Sequence, residues 1–314
     1  MRLVSMLVPR ALLHGGAERS YGLHVPSGLS PRPGPRRTHP LAPCLVAGRG
    51  VTSCGGGGNA AGFQRYAGLD ALADRDGFLV AYPNGSNRLF EGRLLTWNAG
   101  ECCGFAAETG VDDVGFALAV IEDVARHSAL DRARIYATGH SNGAMMAYRL
   151  AAEAAGWVAA IAPVAGAMAL DRFAPTRAVP VLHIHSVDDP RALYAGGVTE
   201  TLGRAITHRP VEAELERWRE RDGCPQAPAV LEQRTWQAEG GAEHSATLLA
   251  WAPCADASEV RLWKLTGAGH GWPGADPVLP ERVMGPRSDV ISAADEVWAF
   301  LRRFQLVTPQ PATR

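Results

Sequence analysis

The chain has 314 residues, 46% of them hydrophobic and 20% charged, with a formal net charge of −1. The apolar share is enough for a full core and excludes a mainly disordered chain, and near-neutral charge removes the electrostatic footprint of a nucleic-acid binder. No apolar run reaches the roughly 18 residues a membrane span needs, so no membrane partner is expected.

Ser20 to Gly28 alternate apolar and polar residues before a turn signal and predict an early strand. Residues 29–54 are rich in Pro, Arg and Gly without a period, which predicts loop. Phe78 to Tyr82 predict a strand closed by Pro83-Asn84-Gly85. Asp112 is a good cap for a helix through His127, with Val114, Leu118, Ile121 and Val124 along one face. Arg134 to Thr138 predict a strand and residues 143–155 an alanine-rich helix. Val158–Val164, Val179–Ile184 and Val260–Leu265 read as buried strands, and Ser292–Phe304 as an amphipathic helix. Unbroken apolar strands alternating with helices predict an α/β fold, a mostly parallel sheet with helices on both faces.

Gly139-His140-Ser141-Asn142-Gly143 fits G-x-S-x-G and falls where the motif requires, between a strand and a helix. The two glycines are expected to allow the sharp turn that lifts Ser141 above the sheet edge. A nucleophilic serine needs a base, and the base an orienting carboxylate, in the chain order Ser, Asp or Glu, His. The strand 179–185 runs into Asp188 and Asp189, and the strand 260–265 into the glycine-rich loop that holds His270. His183 and His185 lie on one strand face but lack a nearby third ligand, so they read as core histidines rather than a metal pair. The six cysteines, at 44, 54, 102, 103, 224 and 254, match no zinc spacing. Cys224 and Cys254 lie in loop-like stretches and would pair in an oxidising compartment. Met1 to Val8 are apolar, but Pro9-Arg10 interrupts them and no clear signal peptide follows.

The sequence resembles the polyhydroxybutyrate depolymerase-like esterases, relatives of the feruloyl and acetylxylan esterases within the α/β-hydrolase superfamily. The matching stretches are Gly62 to Tyr66, Tyr82 to Gly85, Trp97 to Gly104, Val111 to Phe116, Gly139 to Leu150, Tyr194 to Gly197 and Gly269 to Gly274. The resemblance implies a secreted or periplasmic serine esterase that needs no metal or cofactor. Its substrates would be small or oligomeric esters: short polyhydroxyalkanoates, feruloyl or acetyl esters, or simple alkyl esters. Carried over, Ser141 is the nucleophile, His270 the base and Asp189 the acid, with Asp188 as fallback. The backbone N–H groups of Asn142 and Gly56 would form the oxyanion hole, and Trp97 and Trp272 would wall the substrate pocket. The adjacent Cys102 and Cys103 also match the family.

The family has a buried strand and a histidine directly before the glycine-rich oxyanion loop. Here Gly55 to Ala60 keep the loop, but Ala47 to Cys54 supply neither. A compensated local frameshift across 36–54 accounts for the break, because a neighbouring frame can encode Ala-Val-Ala-Leu-His there. On this reading residues 1–54 are an N-terminal segment containing the anomalous stretch 36–54, and 55–306 are the catalytic domain, which the early strand joins. The alternative function is a catalytically impaired relative with a disrupted oxyanion strand.

Overall fold

The computed structural model describes residues 7–26, 39–43, 58–87, 94–201 and 204–307. Residues 44–57, with Cys44, Cys54 and Gly56, lie outside the described residues. The strands are β1 (Val8–His14), β2 (Ala17–His24), β3 (His39–Pro43), β4 (Leu79–Pro83), β5 (Leu130–His140) and β6 (Ala160–Val164). They continue with β7 (Val181–Ser186), β8 (Gly197–Thr201), β9 (Arg204–His208), β10 (Ala229–Gln237), β11 (Glu243–Trp251) and β12 (Val260–Thr266). The helices are α1 (Ala60–Ala67), α2 (Leu69–Asp76), α3 (Gly104–Glu108), α4 (Asp113–His127), α5 (Asn142–Glu153), α6 (Val211–Arg221), α7 (Glu281–Met284) and α8 (Ala293–Leu301).

Ten strands form one sheet in the order β1-β2-β4-β3-β5-β6-β7-β12-β11-β10, and β8 pairs with β9 apart from it. The run from β4 to β12 is parallel, and the strands beyond it at each edge are antiparallel. Period two in the central strands supplies two cores, one on each face. Ile135 and Ala137 of β5 pack with Phe116 of α4, Met146 of α5 and Trp218 of α6. Tyr136, between them, packs with Phe63 of α1, Leu72 of α2 and Trp298 of α8.

β3 falls inside the stretch expected to be loop. Its backbone pairs in parallel with β4 and β5, with Leu41 opposite both Leu79 and Ile135. Pro40 and Pro43 have no amide donor and only Leu41-Ala42 lie between them, so the local signal is weak. The slot between two buried parallel strands imposes the conformation, as tertiary context commonly does for strands. Residues 1–54 therefore contribute three strands to the same sheet as the rest of the chain. Among the described residues no helix is long and apolar enough to cross a membrane.

Candidate active site

Ser141 stands between the end of β5 and the first residue of α5, at φ 59° and ψ −122°. The sharp turn expected from the flanking glycines is made by the serine itself, for neither Gly139 nor Gly143 has a positive φ. A non-glycine residue in such a conformation costs about 1–3 kcal/mol and persists only when its surroundings fix it. Here the Ser141 N–H donates to Val164 O at 2.9 Å, and its carbonyl accepts from Ala144 N at 2.9 Å and Met145 N at 3.1 Å. Gly166 closes the turn from below: a Cβ there would lie 2.2 Å from the Ser141 carbonyl oxygen. The positive end of α5 points at the hydroxyl, which favours negative charge developing beside it.

His270 and Asp189 arrive from the ends of β12 and β7. The loop carrying His270 is fastened by Gly269 N–H to Pro286 O at 2.7 Å and His270 N–H to Met284 O at 2.5 Å. A Cβ on Gly269 would stand 2.1 Å from Met284 O, so glycine is required for that approach. The Ser141 hydroxyl lies 2.8 Å from His270 Nε2, and His270 Nδ1 lies 2.7 Å from Asp189 Oδ2. All three residues are buried, at 5%, 3% and 3% exposure. Asp189 Oδ1 accepts from the backbone N–H groups of Arg191 and Ala192, each at 2.8 Å. Burial alone would raise the Asp189 carboxyl, but the field of His270 and hydrogen bonds from His185 and His270 outweigh it and hold it well below the usual range. Asp188, the fallback, is exposed and instead accepts the Gly267 N–H at 2.7 Å. Beneath His270, His140 donates from Nε2 to the His270 carbonyl at 3.0 Å. Burial and repulsion from His270 push His140 down to about 3, so it is uncharged near neutrality.

Asn142 does more than follow the nucleophile. Its Oδ1 accepts the Trp97 N–H at 2.7 Å and its Nδ2 donates to Trp97 O at 3.1 Å, which clamps the segment after residue 94 to the start of α5. A crevice beside Ser141 and His270 is lined by Cys102, Cys103, Met145, Ala192, Ile206 and His208. Sequence reasoning missed most of these lining residues, because they come from separate elements and share no motif. Neither Trp97 nor Trp272 lines that crevice. Trp97 is fully buried against Phe116. Trp272 is 2% exposed, donates its backbone N–H to the Tyr66 hydroxyl and borders a different cavity of about 540 Å³ with Tyr66, Arg65 and Leu72. Trp97 is thus spent on packing and Trp272 on the wall of that other cavity, placements invisible without the fold.

His183 and His185 hydrogen-bond directly to each other at 2.9 Å, an arrangement that spends on a neighbour the lone pair a metal would need. No group of three or more metal-ligating side chains occurs among the described residues. Cys224 is paired with Cys254, and Cys102 with Cys103.

Residues 44–212 match the model of a family described as Esterase PHB depolymerase. The chain is also 32% identical over 300 residues, 93% of its own length and 81% of the other's, to the protein named "Putative esterase NocK" of Nocardia uniformis subsp. tsuyamanensis. It belongs to the PHB depolymerase esterase family. This esterase is further similar, at 25% identity over 262 residues, to the bifunctional acetylxylan esterase/xylanase XynS20E of Neocallimastix patriciarum, covering 83% of this chain but only 32% of that protein. Among solved structures it resembles an acetyl xylan esterase from Aspergillus awamori with a TM-score of 0.52 at 15% identity, over 84% of this chain and 94% of that one. A thermostable esterase matches with a TM-score of 0.54 at 15% identity, over 95% of this chain and 63% of that one. These likenesses fix the fold as that of the α/β-hydrolases, and family membership makes the chain a carboxylic-ester hydrolase.

Proposed function

We propose that this esterase works through an acyl-serine intermediate, with Ser141 as nucleophile, His270 as general base and Asp189 as the acid that orients it. The observation that carries this reading is the continuous bonded line from Ser141 Oγ through His270 to Asp189 Oδ2. His270 Nε2 takes the hydroxyl proton as Ser141 Oγ attacks the ester carbonyl carbon, and the carbonyl oxygen becomes an oxyanion. The proton then passes to the leaving alcohol, the C–O bond to it breaks, and the acyl group stays on Ser141. Water, deprotonated by His270, repeats the attack and releases the acid. The Asn142 backbone N–H, first in α5 and clamped through Trp97, is assigned one place in the oxyanion hole. The second place goes to Gly56, outside the described residues. Losing one such donor typically costs about 10²–10³ in rate.

The crevice beside Ser141 holds about 10 Å³, room for roughly one water-sized sphere. Its narrowness supports short acyl groups, acetyl or a small hydroxyacyl, over a bulky feruloyl. The Cys224–Cys254 pairing supports an oxidising compartment, periplasmic or extracellular. The test is hydrolysis of p-nitrophenyl acetate, p-nitrophenyl butyrate and methyl ferulate by the wild type and Ser141→Ala. Rates are expected to fall from acetate to ferulate, and Ser141→Ala to lose at least about 10⁴-fold with its melting transition unchanged. Equal rates for the two proteins would overturn the serine mechanism.

A further inference from the structure

Behind Asp189 lies a second line of buried groups that the reaction above does not use. Tyr148 of α5 has its hydroxyl 2.9 Å from His183 Nδ1. His183 Nε2 is 2.9 Å from His185 Nδ1. His185 Nε2 in turn lies 2.7 Å from Ala192 O and 3.3 Å from Asp189 Oδ2. Tyr148, His183 and His185 are all buried, at 2%, 0% and 2% exposure.

The chemistry of the end groups fixes where the hydrogens sit. A carbonyl and an ionised carboxylate only accept, so His185 Nε2 must carry a proton. If His185 is neutral, its Nδ1 accepts from His183 Nε2–H, and His183 Nδ1 accepts from the Tyr148 hydroxyl. Every donor in the line then points toward Asp189. If His185 were a cation, its Nδ1–H would turn the His183 tautomer round. His183 Nδ1–H would then face the Tyr148 oxygen, and the phenol hydrogen would lose the acceptor it has in the line, a costly arrangement in a buried site.

We propose that Tyr148 and His183 are positioning residues that occupy His185 Nδ1 with a donor, keep His185 neutral, and so reserve the negative charge of Asp189 for His270. The proposal rests on the Ser141–His270–Asp189 reading above. Burial holds His183 well below its ordinary range, so it is a neutral donor at working pH. Burial, reinforced by Glu214, holds the Tyr148 phenol well above its own, so it keeps its hydrogen.

The other groups around His185 do not compete for this role. His208 of β9 is pushed down to about 4 and His140 to about 3, in both cases chiefly by burial, so neither is charged near neutrality. Tyr194 meets the His185 ring edge-on, and its hydroxyl is spent on Glu212. Lys264, opposite His185 in register on β12, is paired with the same glutamate. Arg191 shares the Asp189 loop and bonds the carboxylate through its backbone. The carboxylate of Asp189 is thus the charge that a protonated His185 would capture, in competition with His270.

The test combines ¹⁵N NMR of the histidine side chains with pH profiles of kcat/KM on p-nitrophenyl acetate. In the wild type His185 is expected to give the neutral Nε2–H pattern across the active pH range. In His183→Leu, imidazolium signals from His185 should emerge on the acid side, and the acid limb of kcat/KM should move down by about one pH unit, because a cation that takes the Asp189 charge disfavours the protonated form of His270. His183→Gln, whose amide N–H takes the place of Nε2–H, should restore both the neutral pattern and the limb. Tyr148→Phe should move the limb in the same direction but less. A wild-type His185 that is cationic, or protonated at Nδ1, overturns the proposal even if the leucine variant does not fold. So does a folded His183→Leu with an unmoved limb, or a glutamine variant that behaves like the leucine one. Full activity in Ser141→Ala would instead sink the triad reading, and the NMR result would still report on His185.

Discussion

The sheet is built differently on the two sides of β5. Toward β12, the strands β6 and β7 are buried at every residue and β5 over its last six. In that half, Ser141, Asp189 and His270 each follow the end of a parallel strand. Toward β1, β4 is equally buried, but the outer strands β1 and β2 are also held on by charge. Arg19 of β2 meets Asp113 at 2.8 Å with both side chains nearly out of solvent, Arg10 of β1 meets Asp123 at 2.7 Å, and the Tyr21 hydroxyl reaches Asp123 at 2.5 Å. The apolar half specifies itself by burial, whereas the outer strands of the other, polar half lean also on a few paired groups. Asp113 joins the two: its second oxygen accepts the Asn98 N–H at 2.8 Å, close to the clamped Trp97 segment.

Five experiments would break or sharpen that contrast. The largest effect is expected from Asp189→Asn, which leaves packing intact but offers His270 Nδ1 the wrong partner, and should lower kcat by about 10³–10⁴. Its neighbour sets the scale: Asp188→Asn, on the exposed side of the same loop, should change stability by no more than about 0.5 kcal/mol. In the other half, Arg19→Met leaves Asp113 buried without its cation and should cost about 3–5 kcal/mol in denaturant unfolding. A loss below 1 kcal/mol would mean that burial, not charge, holds β2. Replacing Cys224 and Cys254 together by serine opens a cross-link spanning 30 residues and should cost about 3–4 kcal/mol, with activity at 25 °C retained.

A pH-dependent effect concerns a carboxyl within the apolar half. Asp222 accepts from Val179 N and Ser258 Oγ, each at 3.0 Å, and burial, only partly offset by those bonds, pushes it up to about 6. A group that is a weaker acid folded than unfolded stabilises the fold while protonated. Its contribution is present below about pH 4 and is lost as pH rises toward 6. Asp222→Asn should remove that slope and leave the protein about 1–3 kcal/mol more stable than wild type at pH 7. Thermal melts from pH 4 to 8 on both proteins would show it.

Much of the apolar half was legible in the sequence. The runs ending at Thr138, Ile184 and Leu265 announce buried strands, and the residues that follow them are local continuations of those strands. The polar half was less so, since β3 is two apolar residues between prolines and exists because a slot between β4 and β5 needs filling. The hairpin of β10 and β11 gave little signal either: β10 is largely exposed and carries no apolar period.

What the sequence determined alone is the chemistry available at each strand end: a serine in a Gly-x-Ser-x-Gly turn, two adjacent carboxylates, and a histidine in a glycine-rich loop. Those are properties of short segments, and short segments carry their own conformational preferences. Tertiary structure decided which carboxylate faces the histidine, since Asp188 and Asp189 differ only in how their loop turns. It also put Trp97 into packing and Trp272 against another cavity, built the crevice from Cys102, Met145, Ile206 and His208, and lined Tyr148, His183 and His185 up behind Asp189. Most of these depend on contacts between residues tens of positions apart, as with Tyr148 and His183. No local pattern encodes such contacts; they follow from how ten strands and their helices pack.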